Sequence, residues 1–147
     1  MPDPQFPQPL SDWLSGLHQA VLITIRADGT PQSSNIGFAF DPVEQEFRIS
    51  VTADRAKTRN LQRDPRCALH VLGPTFWAYL SVRAEARLSA VTSTPGDAVG
   101  QELLRVYEAA AGKLHPDPDE FFAAMVAEQR LVLTLRAASW SGAGLPT

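Results

Sequence analysis

The chain has 147 residues, 44% of them apolar, which fits one packed domain spanning residues 1–147 and not a disordered chain. Its formal net charge of −3 speaks against a general nucleic-acid or membrane-surface binder, which would carry an excess of positive charge. The single cysteine, Cys67, permits no intrachain disulfide, and inside the apolar run CALHVL it reads as a buried, inert thiol.

In chain order, residues 1–10 carry four prolines and read as an extended arm. That stretch lacks the apolar region of a signal peptide, and no segment reaches the roughly 18 apolar residues of a membrane span, so a soluble, cytoplasmic protein is expected. Ser11 is placed to cap a short helix whose Trp13, Leu14 and Leu17 share one face. Residues 20–27 predict a buried strand, and Asp28-Gly29 is the strongest hairpin signal in the chain. A second strand, PQSSNIGFAF, follows. The third, EFRISVT, alternates Phe47, Ile49 and Val51 against Arg48, Ser50 and Thr52. Asp54 is placed to cap a helix ending before Pro65. CALHVL predicts a fourth strand. WAYLSV and AEARLSAV predict either a hairpin or one long bent strand. Residues 95–128 read as a helical insertion, and RLVLTLRA as the final strand. Short strands joined by tight turns predict a mainly β protein, an antiparallel barrel with peripheral helices.

The helix after the third strand concentrates charge. Arg55, Lys57, Arg59 and Arg63 fall within nine residues of an acidic chain. Arg55 and Lys57 lie in its first turn, where unpaired N–H groups and the helix dipole already favour an anion. Cations there oppose the dipole at about 0.3–1 kcal/mol each unless an anion offsets them. Spacing alone leaves two readings open: a phosphate cradle, or a solvated face with Asp54 and Asp64 as partners. Ala56, Asn60 and Leu61 are expected to face the core. Ser50 and Thr52 add hydroxyls on the strand entering this helix.

The second strand opens with Gln32, Ser33, Ser34 and Asn35, four polar side chains without apolar alternation. Such groups suit the polar edge of a heterocycle, or simply a polar strand end. His18, His70 and His115 show no metal-ligand spacing, and no nucleophile, phosphate-loop or dinucleotide motif occurs. No catalytic residue and no metal site is therefore expected. An enzyme built this way would depend on a cofactor with its own reactivity.

The order LITIRADGTPQSSNIGF, then FRISVTADRAKTRNLQRDPRCALHVL, then WAYLSVRAEARLS resembles the flavin/deazaflavin split-barrel superfamily, which includes the pyridoxamine 5′-phosphate oxidases. It is most similar to the actinobacterial branch that uses coenzyme F-420. The resemblance implies a six-stranded antiparallel split barrel acting as a homodimer, with cofactor sites at the subunit interface and a small-molecule substrate. It implicates Arg55 and Lys57, assisted by Ser50 and Thr52, in gripping the cofactor phosphate. It places Gln32, Ser33, Ser34 and Asn35 beside the ring system and brings Trp77, with Tyr79, from the partner subunit. The oxidases carry a basic second strand and C-terminal cations that bind substrate phosphate; PQSSNIGF and the segment after Arg136 carry none. An F-420-dependent oxidoreductase is accordingly expected, with Arg59 and Arg63 available to the coenzyme's polyglutamate tail. An FMN-dependent reductase or oxidase and a non-catalytic F-420 carrier are the alternatives.

Overall fold

The segment that closes this fold begins at Pro31: one strand was expected over 31–40, and the structure divides it into two. A computed structural model describes residues 5–147; the first four residues of the expected arm lie outside the described residues. Its elements run α1 (Gln8–Ser15), β1 (Gln19–Ile25), β2 (Pro31–Gly37), β3 (Ala39–Asp41), β4 (Glu46–Thr52), α2 (Ala56–Arg63), β5 (Arg66–Leu72), β6 (Tyr79–Leu88), α3 (Ala98–Ala111), α4 (Pro118–Ala127) and β7 (Arg130–Ala143). One sheet holds all seven strands in the order β2-β1-β5-β6-β7-β4-β3, every neighbour antiparallel. β2 pairs with β1 at one end and β3 with β4 at the other, so Phe38 spans the seam. Its N–H donates to the His18 carbonyl at 3.0 Å, and its ring is fully buried. The curl brings β2 against β4 without ladder pairing between them. The result is a split barrel, mainly β, with seven strands where six were expected.

Hydrophobic alternation accounts for the interior. Phe47, Ile49 and Val51 of β4, Leu22 of β1, Leu69 and Val71 of β5, and Leu131, Leu133 and Leu135 of β7 point into one core. Phe6, Leu10 and Leu14 cover one end of it, with Trp13 and Leu17 packed alongside. A smaller core of Leu103, Phe121 and Val132 lies between β7 and the α3–α4 pair. The β1–β2 turn is the expected one: Gly29 has φ +86°, and Asp28 Oδ1 accepts from both N and Oγ1 of Thr30.

Local capping differs from expectation in three places. α1 starts at Gln8 behind Pro7, with a proline in its first turn, so Ser11 is buried inside the helix and caps nothing. α2 has Arg55, not Asp54, at its N-cap position, and no side chain caps it. Thr58 fastens it instead, its hydroxyl donating 2.8 Å to the Thr52 carbonyl at the end of β4. That anchor rotates the helix so that Thr58, Asn60 and Leu61 are buried while Ala56 is exposed. α4 is capped by Asp117 and begins at Pro118. WAYLSV and AEARLSAV resolve into one strand with a register shift between Arg83 and Ala84. β7 extends to Ala143, because β6 offers a full partner edge to a tail whose sequence is poorly patterned. No helix among the described residues is long and apolar enough to cross a membrane.

Two measurements test this packing. Leu133 is fully buried at the centre of β7, and Leu133→Ala should lower unfolding free energy by about 2–5 kcal/mol in urea. Asp97 caps α3, accepting from Gly100 N at 2.8 Å and Thr92 Oγ1 at 2.6 Å, and these bonds hold its carboxyl below the ordinary 3.8. A depressed folded pKa gives stability that is complete above about pH 4 and fades as pH falls. Asp97→Ala should therefore lower the urea midpoint at neutral pH, and the deficit should shrink on acidification.

Candidate functional site

The antiparallel register of β4 and β7 sets Thr52 opposite Arg130. β4 then turns through Ala53–Arg55 into α2, so the start of that helix faces the same corner. The last turn of α4 and the 128–130 connection complete a cleft of about 610 Å³, lined by Thr52, Asp54, Arg55, Ala56, Ala127, Glu128, Gln129 and Arg130. Arg55 stands exposed at its rim, and Lys57 is half-buried beside it.

The electrostatics of this corner are uncompensated. Burial, and after it the charges of Arg55 and Arg130, push the Lys57 ammonium below its usual value. Arg130 is partly paired: Nη2 lies 3.1 Å from Glu128 Oε1, and Nη1 donates at 3.4 Å to Ser50 Oγ. Its Nε is buried without a partner, and so is the Thr52 hydroxyl. Asp54, the expected partner, makes no ion pair with these cations, and Asp64 pairs with Arg66 at 2.8 Å. Two arginines, a helix start and the unpartnered Thr52 hydroxyl meet at this cleft, with Lys57 close enough to Arg55 and Arg130 to feel both charges. A tetrahedral oxyanion matches that set, since it accepts from every direction and neutralises like charges. Thr52 and Arg55 line the cleft, Lys57 lies within charge range of Arg55 and Arg130, and Ser50 meets Arg130. Arg130 was missed. Its only signal was its place as the first residue of RLVLTLRA, and its partner strand was not readable from sequence.

The β2 residues do not act as a block. Strand alternation turns Gln32 and Ser34 inward, while Ser33 and Asn35 are exposed on the outer face. Ser34 Oγ is buried without a partner. Gln32 lies beside a second depression with Arg26, Asp28, Arg59 and Arg63. Trp77 is apart from all of these within one chain. It sits 78% exposed on the 73–78 loop, ring against Phe76, over a hollow shared with His70, Leu72 and Tyr79. A Cβ at Gly73 would collide with the Ala78 carbonyl, so this loop closes only around glycine. His70 stacks on Tyr79 with ring centroids 5.0 Å apart. Cys67 donates weakly to the Ala84 carbonyl, and burial pushes its thiol up to about 12, keeping it protonated at neutral pH. Among the described residues no group of three or more His, Cys, Asp or Glu could hold a metal ion.

The pyridoxamine 5′-phosphate oxidase family model matches residues 6–142. The chain belongs to that family. An F420H(2)-dependent biliverdin reductase of Mycobacterium tuberculosis is 35% identical over 72 residues, a match covering 49% of this chain and 53% of that protein. The chain thus matches about half the length of that curated relative. Among solved structures, one described as an F420 reductase superposes with TM-score 0.68 at 27% identity, covering 92% of this chain and 98% of that one. A conserved hypothetical protein from Mycobacterium tuberculosis superposes with TM-score 0.74 at 20% identity, covering 100% and 93%, a likeness of fold.

The orphaned hydroxyl gives a two-sided test. Thr52→Val removes a buried unpaired polar group, so the unliganded protein should gain about 1 kcal/mol in urea unfolding. The same variant should bind inorganic pyrophosphate more weakly by calorimetry. Loss of stability in Thr52→Val would mean that the hydroxyl is satisfied in the free protein.

Proposed function

We propose that this protein is an oxidoreductase that binds coenzyme F-420 and serves a small, planar or conjugated organic substrate. The observation that carries the reading is the corner where Arg55, Lys57 and Arg130 meet the unpartnered Thr52 hydroxyl. Such a corner suits the phosphate of a flavin-type cofactor. When bound, the deazaflavin supplies the hydride chemistry that no side chain here possesses. Lys57 and Arg55 neutralise the phosphate, and Thr52 and Arg130 orient it. Ser34 and Gln32, facing inward on β2, fix the cofactor from the barrel side. The cleft's two carboxylates are Asp54 and Glu128, the latter paired with Arg130, and proton exchange is assigned to solvent.

The names of two relatives, an F420H(2)-dependent reductase and an F420 reductase, support F-420 over FMN. So does β2, which bears none of the cations a vitamin B6 oxidase uses there. Arg59 makes no side-chain bond and lies with Arg26 beside the second depression, where it suits the coenzyme's carboxylate tail. Arg63 is already engaged, donating to the Ile25 carbonyl at 2.7 Å.

The outer sheet face supports a homodimer. The ladders align Asn35, Val21, His70 and Ser81 in one row and Ser33, Ile23, Ala68 and Arg83 in the next. An apolar centre flanked by polar edges, with Phe76 and Trp77 projecting beside it, suits a second copy of the chain. In that arrangement Trp77 of each protomer flanks its partner's cofactor.

Titration with F-420, FMN and FAD at one salt concentration, followed by absorbance, tests the cofactor. F-420 should bind, and Lys57→Ala should weaken it by about 1–3 kcal/mol. Tight FMN binding without F-420 binding overturns the choice. Oxidation of reduced F-420 by a panel of quinones, enones and tetrapyrroles reads turnover; binding without turnover would make the protein a carrier. Arg59→Ala should flatten the salt dependence of F-420 affinity.

A further inference from the structure

Asn60 is buried two residues after the Thr58 anchor, with its amide between β1, β2 and the end of α2. Its Nδ2 donates at 3.0 Å to Thr24 Oγ1 and at 2.9 Å to Gln32 Oε1. Its Oδ1 accepts at 3.1 Å from Arg63 Nη2, and that same nitrogen is tied to the Ile25 carbonyl. Only one member of this chain has no choice of role. A guanidinium donates and never accepts, so the Asn60 atom facing Arg63 must be the carbonyl oxygen. The atom facing Gln32 is then the amide nitrogen. Gln32 must meet it with its own oxygen, and the group Gln32 has left for a ligand is Nε2, a pair of donors.

We infer that Arg63 is a positioning residue that sets the hydrogen-bond polarity of Gln32 through Asn60. Without it, an amide facing an amide has two equivalent arrangements, O to N or N to O, and Gln32 could offer either atom. With it, Gln32 offers only donors from the inner side of β2. The neighbouring depression carries a net positive charge. Arg26 and Arg59 donate, and the one acid there, Asp28, has its Oδ1 occupied by Thr30. The ligand group opposite Gln32 is therefore an acceptor oxygen, a carbonyl or carboxylate, and a donor there is rejected because it would leave both partners unpaired. Taken with the proposed function, on which this last step rests, the acceptor belongs to the bound cofactor. The role of Arg63 then differs from that of Arg59, one helical turn earlier: Arg59 contributes charge, and Arg63 contributes direction.

The relay is tested first in the unliganded protein, by hydrogen exchange of side-chain amides in ¹⁵N-labelled samples. In the wild type the Asn60 amide protons should be protected and those of Gln32 should exchange freely. Arg63→Lys keeps a pure donor and should preserve that pattern. Arg63→Glu places a pure acceptor against Asn60, turning both amides over, and the Gln32 protons should slow by about tenfold or more. Unchanged Gln32 exchange in Arg63→Glu, or protected Gln32 protons in the wild type, overturns the inference. If Arg63→Glu does not fold, Arg63→Met serves: loss of the donor should double or broaden both amide signals, and a single unchanged set overturns the inference equally.

Binding is read separately. Arg63→Glu should lose about tenfold more F-420 affinity than Arg59→Glu, which makes the same charge change on the same helix without touching Asn60. Equal losses alongside the amide inversion would leave the relay standing and remove its contact with the cofactor. Inversion without any F-420 binding in the wild type would refute the cofactor reading alone.

Discussion

The hydroxyl of Thr58 donating to the carbonyl of Thr52 is the contact on which the rest of the site depends. It joins the first turn of α2 to the last residue of β4 across a three-residue turn. The β4–β7 ladder fixes where Thr52 stands relative to Arg130. The hydroxyl bond fixes where α2 stands relative to Thr52. Together they leave no freedom in how the two cation sources meet. Rotating α2 by one residue would bury Lys57 in the core or turn it to solvent, and would take Asn60 away from Thr24 and Gln32. A side-chain cap from Asp54 would have satisfied the helix start internally. Its absence keeps the first-turn N–H groups open toward the cleft, at a cost to the helix of about 1 kcal/mol relative to a capped one.

The free protein holds like charges together without enough acid to balance them. Glu128 offsets part of Arg130, and among the described residues no acid forms an ion pair with the side chains of Arg55 or Lys57. This arrangement is unfavourable in isolation and becomes favourable when an anion arrives. A structural ion-pair network looks different, and one is present for comparison. Arg48 reaches Asp41 at 2.6 Å, Glu46 at 3.5 Å and Glu102 at 3.5 Å, and Arg87 reaches Glu46 at 3.6 Å. There two arginines meet three acids and tie β3, β4 and α3 together. At the β4–α2 corner the cations outnumber the acids they touch. The contrast separates a group of charges balanced within the fold from one that is not.

How much of this was legible in the sequence depends on the range of the interactions. Strand alternation in EFRISVT and the Asp28-Gly29 turn are local, and both were read correctly, as was the cationic start of α2. The barrel class followed from the rhythm of short strands. The expectation of a single strand over 31–40 missed the seam at Phe38, because which edge a residue pairs with is decided by sheet curl and not by its neighbours in sequence. The same reason hid Arg130, whose relation to Thr52 exists only through the ladder. Asp54 looked like a cap because Asp is the commonest choice there. The helix begins one turn-residue later because Thr58 supplies the attachment from inside. The block QSSN read as one polar surface, but the two-residue period of a strand divides it between inner and outer faces.

That division gives β2 two jobs at once. Its inner residues, Gln32 and Ser34, face the barrel side, where Gln32 bonds to Asn60 of α2. Its outer residues, Ser33 and Asn35, lie in the same rows as Val21, Ile23, Ala68 and His70, the face that suits a second subunit. In the proposed dimer a substitution at Ser33 or Asn35 would act on association, and one at Gln32 or Ser34 on cofactor binding, although all four are contiguous. A strand so placed would couple assembly to binding with no moving part. Its backbone is shared, its side chains alternate, and the cations it lacks are supplied by α2 and β7. Under the proposed function a basic β2 would put charge on the seam between subunits as well as beside the cofactor. Its neutrality would leave the grip to Arg55, Lys57 and Arg130, and polarity, rather than charge, as the contribution of β2 to recognition.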